Sequence, residues 1–196
     1  VLNISVGIGR MREKEKYKKL NECLERLWDN GIIVICAAGN AGPKPGSISN
    51  IGGLQKVITV GCYDDLEKHY SNNNCDKYSG RGPLYDTLRK PDLVAPGTGI
   101  VSCNYLFKRL KDNSEVLLNA ENKSVQYDKN LYIAQSGTSM ATPMVSGAAV
   151  LLLQNEVELT NEKVAQRLKM SAEDLGKPWN RQGWGMLNIK NTLEIR

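Results

Sequence analysis

Apolar residues fall along this chain in two rhythms. Short, nearly unbroken runs rich in Val and Ile alternate with segments in which apolar residues recur every three or four positions. Val1–Val6, Ile32–Ala38 and Val57–Cys62 are runs of the first kind, and Leu93–Ala95 is a shorter one. Continuous runs of this length predict strands covered on both faces, as in a buried parallel sheet. Between the first two, Tyr17, Leu20, Leu24, Leu27 and Trp28 recur at helical spacing among Lys and Glu, which predicts an amphipathic helix over about Arg12–Asn30. This β-helix-β opening predicts parallel pairing through a right-handed crossover. A second helix is expected over about Ala141–Gln154, where Ala141, Gly147, Ala148 and Ala149 are small enough for close packing on a sheet. A third is expected from a Thr160 cap, with Glu162 in its first turn, to about Met170, turning Val164, Leu168 and Met170 inward. A short helix closes the tail from Trp179 to Arg196. The whole reads as an α/β fold with a mostly parallel sheet.

Asn104–Tyr132 fits this rhythm least. Leu110–Leu118 and Val125–Ile133 can pair as a hairpin, and the segment leads into the stretch around Ser139. It is either a flap that shapes an active-site rim or a surface excursion without a role.

Composition narrows the class. The chain has 196 residues, 41% hydrophobic and 24% charged, the balance of a globular domain. No apolar stretch approaches the ~18 residues of a membrane span. The formal charge of +5 is concentrated in Arg10–Lys19, but Glu13, Glu15, Glu22 and Glu25 interleave with the bases. That is the solvated face of a helix, so neither a nucleic-acid nor a membrane partner is expected. Five cysteines, at 23, 36, 62, 75 and 103, form no C-x-x-C pair, which argues against a zinc site or a full disulfide framework. Cys36 and Cys62 fall inside strand-like runs and read as small buried hydrophobes. A reducing, cytoplasmic location is expected from this cysteine usage.

The candidate chemistry centres on Gly137-Thr138-Ser139-Met140-Ala141-Thr142-Pro143. Ser139 stands where a loop meets a helix, in the positive field of the helix N-terminus, and Pro143 suits a first-turn position. Taken alone, the serine reads equally as a plain helix cap.

These seven residues resemble the serine motif of the subtilisin-like serine proteases. Three other segments resemble that family in the right order: Ala37-Ala38-Gly39-Asn40, Lys90-Pro91-Asp92-Leu93-Val94-Ala95-Pro96-Gly97, and Asn3-Ile4-Ser5-Val6-Gly7. Val57–Gly61, Tyr78–Pro83 and Gly183–Asn188 add to the likeness, which is closest to bacterial intracellular AprX-type proteases. The resemblance implies a three-layer α/β fold and peptide hydrolysis by an acyl-enzyme mechanism. Ser139 would be the nucleophile, and Asn40 with the Ser139 N–H would form the oxyanion hole. The substrate backbone would add to the edge at Ser5, Val6 and Gly7, with further contacts from Ala38, Gly39 and Thr138. The specificity pocket would draw on Ala37–Gly39 and part of Ser47–Leu54, with an apolar preference.

The family's catalytic Asp and His motifs have no counterpart here. The single histidine, His69, stands in the polar stretch Asp64–Asp76, which matches no catalytic segment, and Asp92 reads as structural. Residues 1–196 are therefore expected to be the C-terminal part of one catalytic domain. Its N-terminal portion, carrying Asp and His, would be missing, and the isolated chain would be inactive. The other reading is a non-catalytic peptide-binding pseudoprotease, or a half-domain that needs a separate N-terminal chain. The partners expected are a peptide or protein substrate and the missing N-terminal part. No cofactor is expected. Many relatives bind calcium, but no residue here is assigned to it, and the Asp64-Asp65 pair reads as a solvated turn.

Overall fold

Four strands lie side by side, all parallel, in the order β1-β2-β3-β4. They are β1 (Leu2–Ile4), β2 (Val34–Ala37), β3 (Ile58–Cys62) and β4 (Leu93–Ala95). The register sets Leu2 beside Val34, Ile35 beside Ile58, and Val60 beside Leu93. This computed structural model describes residues 1–6, 14–64, 74–83, 88–104, 117–118, 124–125 and 131–195. Every residue of β2, β3 and β4 is buried, so both faces of the central sheet are covered. That is the arrangement the unbroken Val/Ile runs call for. β1 is only partly buried and stands at the edge of the sheet. On the far side, the Val94 N–H donates to Gly185 O at 2.9 Å and the Leu187 N–H donates to Val94 O at 2.8 Å, so residues 185–187 extend β4's flank.

Helices form the outer layers of a three-layer α/β fold. α1 (Lys14–Asp29) turns Tyr17, Leu24 and Trp28 inward, as its spacing predicts. α2 (Thr138–Asn155) lies against all four strands, with Ala141, Ala148 and Ala149 buried at the contact. Small side chains there let the helix axis approach the sheet, and Val145 and Leu152 fill the remaining space. α3 (Asn161–Met170) begins as expected, with Thr160 Oγ1 accepting from the Lys163 N–H at 3.3 Å. Two short helices follow, α4 (Trp179–Gln182) and α5 (Ile189–Glu194).

Four expectations need correction. α2 starts three residues earlier than its apolar pattern suggests, so Pro143 lies inside it and not in its first turn. Met170 is 61% exposed while Val164 and Leu168 are fully buried. Six residues from Val164, Met170 has rotated off the face that Leu168 shares. Cys62 is buried as expected, but it is bonded to Cys75 rather than free. The two lie 13 residues apart, and the fold brings the end of β3 against the short turn Cys75–Lys77. Cys23, Cys36 and Cys103 remain free, so this is one cross-link and not a framework. It also removes cysteine usage as an argument for a reducing compartment. Finally, Asp64 is 5% exposed, not a solvated turn residue.

The 104–132 excursion is described in part. β5 (Ile100–Cys103) pairs antiparallel with β8 (Tyr132–Gln135), and β6 (Leu117–Leu118) with β7 (Ser124–Val125). Leu117 meets Val125 as the hairpin reading requires, whereas Ile133 pairs with Ser102. The remainder of that hairpin, and with it the flap reading, lies outside the described residues. So do Gly7, Asp65 and His69. Among the described residues, no helix is long and apolar enough to cross a membrane.

Candidate active site

The first turn of α2 presents Ser139. Gly137 precedes the helix with φ 145°, a conformation that L side chains rarely adopt, and offers no side-chain cap. Ser139 is therefore not the capping residue. As the second residue of the helix, it keeps an N–H without an intrahelical acceptor. Its hydroxyl turns across to β1 and donates to the Ser5 carbonyl at 2.6 Å. Pro143 has no N–H, so the Ser139 carbonyl also lacks its usual helical partner.

Asn40 follows the C-terminal end of β2 and reaches the same turn. Its Oδ1 accepts from the Thr138 N–H at 3.1 Å and from Thr138 Oγ1 at 3.0 Å. Thr138 Oγ1 in turn accepts from the Gly39 N–H at 3.2 Å. This clasp fixes which end of the amide is oxygen. It leaves the Asn40 Nδ2 protons for another acceptor, at an exposed position beside the helix N-terminus. Two donors, Asn40 Nδ2 and the Ser139 N–H, thus belong to residues joined at the N-terminus of α2, with the helix dipole behind them. Donors of this kind can stabilise negative charge on a carbonyl oxygen whose carbon is attacked by a neighbouring hydroxyl.

The two further strand segments are placed as follows. Ser5 and Val6 extend from β1, with Val6 60% exposed. β1 is tied to α2 where Ser146 Oγ donates to Asn3 Oδ1 at 2.8 Å. Ala38 is fully buried and Gly39 half-buried; their carbonyls accept from the Ser49 N–H at 2.8 Å and the Gly80 N–H at 2.7 Å. Ser49 Oγ donates to Ala37 O at 3.0 Å, which seats the 47–54 loop against Ala37–Gly39. Ile51 turns into the core there.

The sequence profile of the subtilase family matches residues 1–185. The chain belongs to the subtilase family. It is 34% identical over 199 residues to serine protease AprX of Bacillus subtilis (strain 168), covering 98% of this chain and 42% of that protein. It is 30% identical over 174 residues to subtilisin DY of Bacillus licheniformis, covering 87% of this chain and 50% of that one. The structure of the prenylagaramide maturation protease PagA superposes with a TM-score of 0.66 at 26% identity, covering 98% of this chain and 60% of that chain. The chain therefore spans about half the length of the relatives it matches.

Within this subtilase chain, Ser139, Asn40, Thr138 and Ser5 meet at one place, while the second polar cluster closes on itself elsewhere. Asp92 is 2% exposed and fully engaged: Lys90 Nζ lies 2.7 Å from its Oδ2, the Thr59 N–H donates to Oδ2 at 2.7 Å, and Lys169 Nζ lies 2.6 Å from Oδ1. That agrees with a structural Asp92. A cavity of about 810 Å³ lies beside it, between α1, α3 and residues 88–92. It is lined by Trp28, Lys56, Asp92, Lys169 and Trp184, and none of the Ser139 group borders it. Thr138, read from sequence as a substrate contact, is itself fully buried with its hydroxyl used in the clasp. Asp64 passed unnoticed as a positioning residue. Its Oδ1 accepts from the Gly97 N–H at 3.0 Å and the Thr98 N–H at 3.3 Å. No sequence signal marks that contact, because the partners lie 33 residues apart.

Proposed function

We propose that this chain supplies the nucleophile and the oxyanion hole of a serine endopeptidase, and that an imidazole base and its orienting carboxylate come from a segment outside these 196 residues. The observation that carries this reading is the Ser139–Asn40–Thr138 arrangement. A hydroxyl at a helix N-terminus is released from capping, and an asparagine amide is locked with its N–H groups free. In the reaction, Ser139 Oγ attacks the scissile carbonyl while the base takes its proton. Asn40 Nδ2 and the Ser139 N–H hold the oxyanion, and the base returns the proton to the leaving amine. Water then releases the acyl group from Ser139. Ser5 and Val6 line the extended substrate, and the Ser5 carbonyl exchanges the Ser139 hydroxyl for a substrate N–H.

Two features support the incoming segment. β1 is the sheet edge, and α2 leaves Met144, Val150 and Leu151 exposed, at 37%, 52% and 39%. An apolar face on the helix that packs the whole sheet suits burial by the rest of one catalytic domain, and the matched relatives are about twice as long. A peptide-binding role without catalysis is the outcome if no base arrives. Peptide hydrolysis by the protein extended upstream of Val1 tests the proposal. It should be abolished by Ser139→Ala, and hydrolysis that survives Ser139→Ala overturns the assignment.

A further inference from the structure

Next to the nucleophile turn, across Gly97, lies the Cys62–Cys75 bond. Both cysteines are buried, as is Asp64 beside them. Asp64 Oδ1 is occupied by the Gly97 and Thr98 N–H groups. Its Oδ2 faces sulfur, 3.1 Å from Cys75 Sγ and 3.9 Å from Cys62 Sγ. A bonded sulfur carries no proton, so a disulfide leaves this buried oxygen facing two sulfurs that cannot donate, whereas a thiol can donate to it. The carboxylate thus favours the reduced pair, although the structure holds the pair oxidised.

The same cluster touches the catalytic turn. Gly97 is wedged between them: a Cβ on it would lie 2.7 Å from Cys62 Sγ and 2.7 Å from the Gly137 carbonyl oxygen. The Gly137 N–H donates to Gly97 O at 2.8 Å, and the Cys75 N–H donates to Thr98 Oγ1 at 3.0 Å. From the sulfurs to Gly137 there is one residue, with no side chain and no slack. Gly137 is the N-cap of the helix that presents Ser139.

We propose that Cys62–Cys75 is a thiol–disulfide site that braces the nucleophile turn, and that its reduction loosens the Gly97–Gly137 contact and lowers turnover. In reduction, two small-molecule thiols supply two electrons and two protons. The Sγ–Sγ bond breaks, two cysteine thiols form, and the reagent leaves as its own disulfide. A small disulfide such as oxidised glutathione runs the step backwards. Exchange is slow, because both sulfurs are buried and need local opening.

The turnover arm rests on the protease reading, but the structural arm does not. The upstream-extended protein, incubated with oxidised glutathione and mapped without reductant, yields the Cys62 and Cys75 peptides joined and Cys36 unlinked. Treatment with a phosphine then speeds amide hydrogen exchange at Gly137, Met140 and Ala141 by roughly tenfold or more. A Cys62→Ala/Cys75→Ala variant exchanges at one rate with or without phosphine, which excludes effects through Cys23 or Cys103. In the upstream-extended protein, reduction lowers kcat several-fold with little change in KM. Recovery of Cys62 and Cys75 unlinked after oxidation overturns the proposal. So does exchange at residues 137–141 that ignores reduction. Absence of any hydrolysis, with the exchange response intact, counts against the protease reading alone.

Discussion

The polar clusters around Asp92 and around Ser139 differ in what they leave over. Around Asp92, each carboxylate oxygen has a cationic partner, and Lys90 Nζ also donates to Val57 O and Thr59 Oγ1. Both oxygens of the Asp92 carboxylate are spent on partners within the protein. Around Ser139, Asn40 and Ser139 are each held by one end only. Asn40 is gripped by its oxygen and keeps its N–H groups, and Ser139 is fixed by its place in α2 while its hydroxyl rests on a carbonyl a substrate would use. Both clusters sit beside strands and both contain chemically capable residues. The unspent donors, more than burial or charge, are what the proposed reaction at Ser139 rests on.

Asn40→Ala should have the largest effect on the reactive cluster. Removing such a donor from a subtilisin lowers kcat by roughly 10²–10³, a scale carried over from that enzyme. The loss should fall on kcat and spare KM, and equal loss in both would show that Asn40 acts on ground-state binding.

Asp92→Ala should act on stability. It strands Lys90, whose side chain is 3% exposed, and a buried charge left unpaired costs about 3–5 kcal/mol. For a domain of this size, the melting temperature should drop on the order of 10 °C. An unchanged melting temperature would mean that the cluster is not a structural unit.

Thr138→Val separates position from chemistry. It keeps the Thr138 N–H bond to Asn40 but removes the hydroxyl link and strands the Gly39 N–H. The expected loss is about 1 kcal/mol, roughly fivefold in kcat. A loss as large as that of Asn40→Ala would make Thr138 more than a clasp.

At neutral pH the smallest effect is that of Cys36, which emerges only in alkali. Burial pushes its thiol up from 9.0 to about 11, outweighing the lowering influence of Lys90. The unfolded chain therefore releases this proton first. Below pH 9 the group is neutral in both states, and between pH 9 and 11 stability falls by up to about 3 kcal/mol. Cys36→Ala should flatten that alkaline limb of a melting-temperature profile. A limb of equal slope in both proteins would assign it to other groups.

How much of this was legible in the sequence follows from what each feature depends on. The central strands were readable because burial on both faces forces unbroken apolar runs, as in Val57–Cys62. α1 was readable from its stripe of Leu24 and Trp28. The start of α2 was not, because Thr138 and Ser139 carry no apolar periodicity and Pro143 reads as a boundary. Ser139 and Asn40 were found through motifs rather than through pattern. The Thr138 clasp, the Cys62–Cys75 bond and the Asp64 brace depend on pairs that only the folded chain brings together, so no local spacing announces them.

The central claim is that Ser139 is a nucleophile completed from outside these residues. The most direct test is intact-mass labelling with a fluorophosphonate, applied to this chain alone and to the protein extended upstream of Val1. The account predicts one adduct, mapped to Ser139, on the extended protein and none on the chain alone. An extended, folded protein that stays unlabelled would contradict it.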